Sequence, residues 1–185
     1  MSARIAPAQP PFPPAMQEIL EKITPPGVPV LGLFTTMARD ERLFGKFFAG
    51  SLLDRGHLTL RQRELIIDRT TALCRSEYEW GVHMTFFGAR AGFSAEQIEA
   101  LVYGTPQDTC WLAEDSVVLQ MCDALHRDCS IDEDLWQALR AHFAEEAILE
   151  MLMLAGSYRT VSYLTNALQL PLEAGAMRFP VRAAT

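Results

Sequence analysis

Apolar side chains recur along this chain at the three- and four-residue spacing of amphipathic helices. A strict alternation of apolar and polar residues, which would indicate strands, does not extend over a useful length. Helix breakers such as the TPPGVP stretch and Pro171 separate the apolar runs. We therefore predict an all-α fold. The predicted helices span residues 14–23, 30–40, 41–56, 60–74, 76–92, 93–104, 111–128, 130–142 and 144–169.

Polar residues at the starts of several apolar runs predict where helices begin. Thr59 precedes the run LRQRELIIDRTTALC and is predicted to cap its first turn. Ser76 and Glu79 form an S-x-x-E pattern, in which the hydroxyl and the carboxylate each accept from a free backbone amide. Ser94 and Gln97 form the S-x-x-Q equivalent. These patterns predict the starts of three helices.

The chain divides into a short arm and one domain. Five of the first fourteen residues are proline, which predicts a flexible, extended arm over residues 1–14. Residues 15–185 show no internal repeat or linker, and their number suits a single helical domain with its own core. The runs LFGKFF and ILEMLMLAG are apolar on more than one side of a helix, which is typical of buried or interface helices. We therefore expect a homo-oligomer, either a dimer, a trimer or a hexamer.

The charge of the chain excludes one class of partner. Its formal net charge is −7 at pH 7, and no run rich in Lys or Arg is present. Lys22 and Lys46 are the only lysines. Because nucleic acids bind to basic surfaces, we expect no nucleic-acid partner.

No apolar run suits a secretion signal or a membrane span. The N-terminal stretch MSARIAPAQPPFPPAM lacks the apolar segment of a signal peptide. The run AILEMLMLAG is interrupted by Glu150 and is too short to cross a bilayer. We expect a cytoplasmic protein with reduced thiols, no membrane partner and no cofactor. The cysteines, which show neither C-x-x-C nor zinc spacing, are Cys74, Cys110, Cys122 and Cys129.

The stretch SEYEWGVH collects carboxylates, aromatic rings and an imidazole within eight residues. On a helix, Ser76, Glu79 and His83 share one face because they are three and four residues apart. A tight turn separates this helix from the preceding one, whose Glu64 can reach the same face. Three interpretations remain open: a proton relay with a histidine tuned toward neutral pH, a metal site, or a helix cap with an ion pair. A lone imidazole among carboxylates is a poor zinc site, so no residue is assigned as a metal ligand.

Further side chains are candidates for the walls of a substrate pocket. Tyr78 and Trp80 lie beside the face that carries the carboxylate and the imidazole. On the last predicted helix, Tyr158, Arg159 and Tyr163 are candidates for the same pocket. Arg159 is the predicted ligand of a substrate carboxylate. Packing and an ion pair are the alternative roles for these three residues.

The segment RQRELIIDRTTALCRSEYEWGVHMTFFGARAGFSAEQIEAL, residues 61–101, resembles the core of the carboxymuconolactone decarboxylase-like superfamily, which includes the alkylhydroperoxidase D proteins. The shared signature is an R-E-L helix, a second helix whose reactive face ends in histidine, and the pattern A-G-[FL]-[ST]-x-E-x-I. The stretches CDALHRDCSIDEDLW and SYRTVSYLTNALQLPLE resemble the C-terminal half of the longer members. The resemblance implies an alkylhydroperoxidase D-like helical bundle that packs into an oligomer.

The same resemblance implies which residues form the site. The alkylhydroperoxidase members carry a glutamate on the first helix and a C-x-x-C-x-x-x-H motif on the second. The two cysteines of the motif reduce peroxide and form a disulfide, which is then recycled. Glu64 matches that glutamate and His83 matches that histidine. Ser76 and Glu79 occupy the two cysteine positions, so a disulfide cycle is excluded at this site. The SEYEW version resembles the carboxymuconolactone decarboxylase-like branch, whose chemistry needs an acid and a base.

We therefore predict an enzyme that performs acid/base chemistry, of a decarboxylase-like lyase type, on a small carboxylated or carbonyl compound. The predicted catalytic residues are His83 and Glu79 as acid and base, with Glu64 orienting them. One alternative is an antioxidant peroxidase in which Cys74 acts as a lone redox thiol. A second alternative is a non-catalytic binding or scaffold member of the family.

Overall fold

The structure, a computed structural model, describes residues 3–50, 52 and 54–181. These residues form helices and loops without a strand, which confirms the predicted all-α fold. Within the same ranges, no helix combines the length and the apolar character needed to cross a membrane. Residues 1–2 of the predicted arm, and residues 51, 53 and 182–185 of the predicted domain, lie outside the described residues. The helices are α1 (Pro14–Ile23), α2 (Gly32–Met37), α3 (Glu41–Ala49), α4 (Leu60–Leu73), α5 (Glu77–His83), α6 (Ala89–Ala91), α7 (Ala95–Tyr103), α8 (Ala113–Asp128), α9 (Glu133–His142) and α10 (Glu145–Ala167).

Helix α4 is the central element of the bundle. It starts at a capping box, in which the Gln62 amide donates to the Thr59 hydroxyl and the Thr59 amide donates to the Gln62 side chain. This confirms the cap predicted at Thr59. Every residue from Glu64 to Ala72 is buried, because α5, α7, α8 and α10 pack around the helix. Polar side chains on α4 therefore face the interior of the bundle and not the solvent.

A left-handed residue turns the chain from α4 into α5. Arg75 has a φ of 54°, and the two helices pack against each other as a hairpin, joined by the tight turn that the sequence predicts. The predicted capping box between Ser76 and Glu79 is wrong, because the Ser76 side chain makes no cap. Its hydroxyl lies 2.8 Å from the hydroxyl of Thr165 on α10. The Glu79 carboxylate is therefore not tied to the start of its own helix.

Helix α5 continues through a π-helical segment, Met84–Gly88, into α6. A π-helical turn contains an extra residue, which changes the direction of the side chains that follow, and such turns are frequent at functional sites. This segment begins directly after His83. Gly92 ends α6 with a φ of 75°, a left-handed conformation that glycine adopts without strain.

Helices α1, α2 and α3 pack around a smaller apolar cluster of their own. Its buried members are Met16, Leu20, Ala38 and Phe44. Helix α3 ends at Ala49, with the next glycine as its C-cap, and does not extend to residue 56 as predicted. The prediction followed the apolar spacing, whereas glycine weakens a helix at this point.

The segment after α10 returns across α5. Phe179 packs against Trp80 with ring centroids 5.1 Å apart, and the Met177 amide donates a hydrogen bond to the Thr85 hydroxyl. The backbone oxygen of Met177 lies where a β-carbon on Gly81 would collide with it. Gly81 is therefore required for the close approach of this segment to α5.

Residues 3–13 precede α1 without forming a helix. The Arg4 amide donates to the Leu168 carbonyl, and the Ala8 amide donates to the Thr35 carbonyl. The arm thus contacts both the end of α10 and helix α2. The flexibility expected for residues 1–14 stays a prediction.

Candidate active site

His83 lies at the centre of a buried cluster formed by three helices. Its Nδ1 atom is 2.8 Å from Oε2 of Glu64 on α4. Its Nε2 atom is 3.0 Å from the hydroxyl of Tyr158 on α10, and 3.5 Å from Oε1 of Glu79. Glu64 is 0% exposed and His83 is 4% exposed. The α4–α5 hairpin therefore brings the three predicted catalytic residues together, and α10 adds Tyr158.

Two carboxylates hold His83 in its charged form. Burial alone lowers the pKa of His83, but the hydrogen bonds and charges of Glu64 and Glu79 outweigh burial and raise the pKa to about 10. His83 is therefore an imidazolium at neutral pH, in which both ring nitrogens are donors. This differs from the predicted tuning toward neutral pH. The sequence did not show that carboxylates would lie close to both nitrogens of the ring.

The Tyr158 hydroxyl is a donor that the imidazolium polarises. Because Nε2 of His83 donates to the Tyr158 oxygen, the hydroxyl proton is left for another acceptor. Burial raises the pKa of Tyr158 well above its ordinary value, and the charges of Glu79 and Glu64 raise it further. Tyr158 therefore keeps its proton at neutral pH.

Glu79 presents an unpaired carboxylate oxygen beside this donor. Its Oε1 atom faces His83, whereas its Oε2 atom is buried and has no hydrogen-bond partner among the described residues. A buried carboxylate oxygen without a partner is unfavourable. Glu79 is therefore the group of the cluster that is best placed to accept a proton from a bound molecule.

A third carboxylate, Asp68, follows Glu64 by one turn of α4. It is 0% exposed, and neither of its oxygens has a partner among the residues that the structure describes. Burial raises the pKa of Asp68 well above its ordinary value; the charge of His83 opposes this, and those of Glu64 and Glu79 add to it. Asp68 therefore retains its proton more readily than an exposed aspartate. The sequence analysis did not single it out, because a lone aspartate in a helix carries no signal of burial.

The cluster opens into a cavity of about 440 Å³, a volume typical of small-molecule sites. Because His83, Glu79 and Tyr158 are buried and also line the cavity, they form its inner end. Much of the remaining lining is aromatic. The phenylalanines of the lining are Phe34, Phe47, Phe48, Phe86 and Phe87.

One wall of the cavity comes from the N-terminal helices, which the sequence analysis did not assign to the site. Helix α2 contributes Phe34, and α3 contributes Lys46, Phe47 and Phe48. The sequence feature that could have indicated this wall is the run LFGKFF. Its apolar residues on several sides of a helix were interpreted as those of a buried or interface helix. Phe44 does pack in the small apolar cluster, while the other side of the same helix faces the cavity.

Two aromatic residues predicted as pocket walls do not line the cavity. The Tyr78 hydroxyl accepts a hydrogen bond from the Leu33 amide and donates one to the Glu173 carboxylate. Trp80 is 0% exposed and packs against Phe179. Both residues hold the C-terminal segment and α2 against α5, so they support the cavity from outside.

Arg159, the predicted ligand of a substrate carboxylate, also lies outside the cavity. Its guanidinium donates to the carbonyls of Leu125 and His126 and to the hydroxyl of Tyr163. Residue 159 points about 100° away from Tyr158 around the axis of α10, since an α-helix has 3.6 residues per turn. Apart from the imidazolium, Lys46 is the one cationic side chain among the described residues that line the cavity.

Cys74 lies in a separate surface cleft. Its Sγ atom is 3.9 Å from Nδ1 of His126, and Arg159 and Asn166 line the same cleft. Burial raises the pKa of Cys74, and the opposing effects of a Ser162 hydrogen bond and the Arg159 charge are smaller. Because the thiolate is the reactive form of cysteine, Cys74 lacks the lowered pKa of a redox thiol.

The cluster does not resemble a metal site. Over residues 3–50, 52 and 54–181, no group of three or more suitable side chains is arranged to hold a metal ion. Both nitrogens of His83 already contact Glu64 and Tyr158. The ring therefore has no free nitrogen to offer, which argues against the metal interpretation.

Residues 41–113 match the Carboxymuconolactone decarboxylase family. This segment holds Glu64, Asp68, Glu79 and His83, whereas Tyr158 comes from the chain beyond it. No curated protein matches the sequence at a significant level.

Solved structures share the fold of the chain. The chain is similar to an uncharacterized peroxidase-related protein from Silicibacter sp. TM1040. The TM-score is 0.81 and the identity is 19%, over 95% of this chain and 93% of the other. A peroxidase-related protein from Ralstonia eutropha JMP134 with an alkylhydroperoxidase AhpD core has a TM-score of 0.74, 17% identity, and coverage of 91% and 93%. A variant of the debrominase Bmp8 in complex with 2,3,4-tribromopyrrole has a TM-score of 0.76, 14% identity, and coverage of 94% of each chain. Residues 41–113 are therefore similar to the Carboxymuconolactone decarboxylase family, and the chain as a whole shares the helical fold of these structures.

Proposed function

We propose that this protein is an enzyme that moves a proton on a small carbonyl compound. Glu79 acts as the base, and the Tyr158 hydroxyl, polarised by the His83 imidazolium, is the donor to the carbonyl oxygen. One observation carries the proposal. The inner end of the cavity combines an unpaired carboxylate oxygen with a buried hydroxyl that already accepts from an imidazolium.

The chemistry follows from where the charge develops. Glu79 takes a proton from the carbon next to the carbonyl, and the electron pair of that C–H bond forms a carbon–carbon double bond. The π pair of the carbonyl moves onto its oxygen, which becomes negatively charged. The Tyr158 hydroxyl donates a hydrogen bond to this oxygen, a form of stabilisation that is strong in a buried site. Glu79 then returns the proton to the same or a conjugated carbon, which completes the turnover.

Glu64 acts in this scheme as a positioning residue. It does not line the cavity, and its carboxylate accepts from Nδ1 of His83. This contact holds the ring in place and favours its charged form. The charged ring is what makes the Tyr158 hydroxyl a stronger donor than a tyrosine alone.

Two further observations support the proposal. The related fold that holds 2,3,4-tribromopyrrole is consistent with a small, planar organic ligand in an aromatic cavity. Loss of carbon dioxide from a β-oxo acid also produces a negatively charged oxygen of this kind. The same donor pair therefore suits the decarboxylase-like reaction implied by the family.

The alternatives have less support. A peroxidase that depends on Cys74 needs a thiolate, and burial raises the pKa of that thiol. A scaffold protein has no need for a cavity that ends in an unpaired buried carboxylate oxygen, which is unfavourable for stability.

The experiment is deuterium exchange in D₂O, followed by NMR, at the carbon next to the carbonyl of small aryl and alkyl ketones. We expect exchange with the wild type and with Glu99→Gln, a change at an exposed site on α7, and no exchange with Glu79→Gln. The rate should fall as the pH rises through about 10, where His83 loses its proton. A wild type that exchanges no carbon acid, or a Glu79→Gln variant that keeps its rate, would contradict the proposal.

A further inference from the structure

Lys46 provides the cavity with a second charged contact, away from the buried cluster. Its side chain lines the cavity and is also exposed, so it lies where the cavity meets the solvent. It forms no salt bridge with any residue in the described part of the chain. The ammonium group is therefore available to a ligand.

The two ends of the cavity carry different charges. At the inner end, the Glu64 and Glu79 carboxylates outnumber the single positive charge of His83 between them, so this end disfavours a ligand carboxylate. Lys46, at the mouth, attracts one. An anionic ligand is therefore oriented with its charge at the mouth and its uncharged end against Tyr158.

Apolar residues form most of the remaining lining of the cavity. Phe34, Phe47 and Phe87 line the cavity together with aliphatic side chains such as Val82 and Val161. Phenylalanine rings favour contact with the faces and edges of other aromatic rings. The middle of the ligand should therefore be an aromatic ring or a branched alkyl group.

We propose that the cavity binds an aryl or branched-alkyl oxo acid, with its carboxylate at Lys46 and its carbonyl at Tyr158. The carbonyl end of this assignment rests on the proposed function. Because the carboxylate is held at Lys46 and not against Glu79, it is retained in the reaction. The proton transfer is therefore an enolisation or isomerisation next to the ketone, and the bound carboxylate is not the leaving group.

The chain offers a matched control, because Lys22 is its only other lysine. Lys22 is exposed on α1 and does not line the cavity. The probes are 4-acetylbenzoate and its neutral amide. In both, the ring lies between the ketone and the other end, and the two probes differ in the charge at that end. Isothermal titration calorimetry at pH 7 and low salt gives the dissociation constant of each probe for the wild type, Lys46→Met and Lys22→Met.

We expect the wild type and Lys22→Met to bind the acid about fivefold more tightly than the amide, the upper range for an exposed ion pair. Lys46→Met should bind both probes equally, and added salt should reduce the wild-type preference. Acylation of lysines by an amine-reactive reagent should be slowed by the acid at Lys46 and not at Lys22. Equal binding of acid and amide by the wild type, a preference that survives in Lys46→Met, or no binding of the acid would each overturn the assignment.

The proposed function is tested separately with the same probe. Deuterium exchange at the carbon next to the ketone depends on Glu79, whereas the preference for the acid depends on Lys46. Binding with the expected preference but without exchange would leave the ligand class standing and reject the reaction. A rate of deuterium exchange that does not change in Lys46→Met would reject the ligand assignment and leave the proposed reaction supported.

Discussion

Replacing Glu64 by glutamine should change the charge state of His83 without changing the shape of the cluster. Glutamine keeps an oxygen that can accept from Nδ1 of His83, so the ring stays in place. What is lost is the negative charge 2.8 Å from that nitrogen. The prediction is that the pKa of His83 falls in this variant.

The size of the change follows from the geometry. The pKa of His83 is about 10, against 6.5 for a free imidazole, a difference of roughly 3.5 pH units. At about 1.4 kcal/mol for each unit, the cluster favours the charged ring by on the order of 5 kcal/mol. Glu64 has the larger share, because its contact is 2.8 Å long against 3.5 Å for Glu79. Loss of such a charge lowers a pKa by about 1–3 units, so His83 of the variant should titrate between about pH 7 and about pH 9.

The assay is NMR of protein labelled with ¹³C at Cε1 of histidine. The His83 signal is assigned by its absence in His83→Gln. In the wild type this signal should keep the chemical shift of an imidazolium from about pH 5 to about pH 9, and in Glu64→Gln it should titrate inside that range. A wild-type signal that titrates near pH 6.5, or one that Glu64→Gln leaves unchanged, would refute the reasoning.

The same pKa predicts how stability depends on pH. Because the pKa of His83 is higher in the folded protein than the 6.5 of an unfolded chain, its contribution to stability is complete below about pH 6.5. That contribution is lost as the pH rises from about 6.5 to about 10. Urea unfolding should therefore show a steeper loss of stability over this range in the wild type than in His83→Gln.

Three other changes have clear expected outcomes. Burial makes the pKa of Asp68 higher in the folded protein than in an unfolded chain, so its contribution to stability is complete below about pH 4 and weakens as the pH rises from there. The Asp68→Asn variant should flatten this dependence and raise the free energy of unfolding at pH 7. In Gly81→Ala the new methyl group collides with the backbone oxygen of Met177 and should destabilise the protein by about 1–3 kcal/mol. At Gly156 a new methyl group would have no neighbour within 4 Å, so Gly156→Ala should be neutral or stabilising. Thermal unfolding measures both variants. The homo-oligomer stays a prediction, and its proposed interface is the apolar outer face of α10, where Leu149 is 63% exposed. The Leu149→Glu variant should lower the mass measured by light scattering. An unchanged mass would exclude this face as the interface.

The helical pattern predicted most of the bundle because buried positions on a helix recur regularly. The capping residues Thr59 and Ser94 start their helices as predicted. The same rule failed at Ser76, because Thr165 on α10 competes for its hydroxyl. A local capping pattern cannot include a partner that is distant in sequence.

The proximity of the carboxylates and the imidazole was also predictable from the sequence, whereas the rest of the cavity was not. Glu64, Glu79 and His83 were assigned from helical spacing and from the family resemblance, and they meet in the structure. The charge of the imidazolium and the wall that contains Lys46 depend on tertiary packing, which has no local pattern. Arg159 was assigned to the pocket as a candidate on the last helix, but it and Tyr158 are adjacent helical residues and face different directions.

The central claim is that Tyr158, polarised by His83, donates to the carbonyl oxygen of a bound ligand. The most direct measurement is the rate of deuterium exchange of 4-acetylbenzoate with the Tyr158→Phe variant. The control is Tyr163→Phe, a change at an exposed hydroxyl on the same helix. Removing one donor to a developing oxyanion should slow the exchange by about 10²–10³-fold, while the dissociation constant of the probe and the rate in Tyr163→Phe stay close to those of the wild type. A Tyr158→Phe variant that exchanges as fast as the wild type would contradict the account.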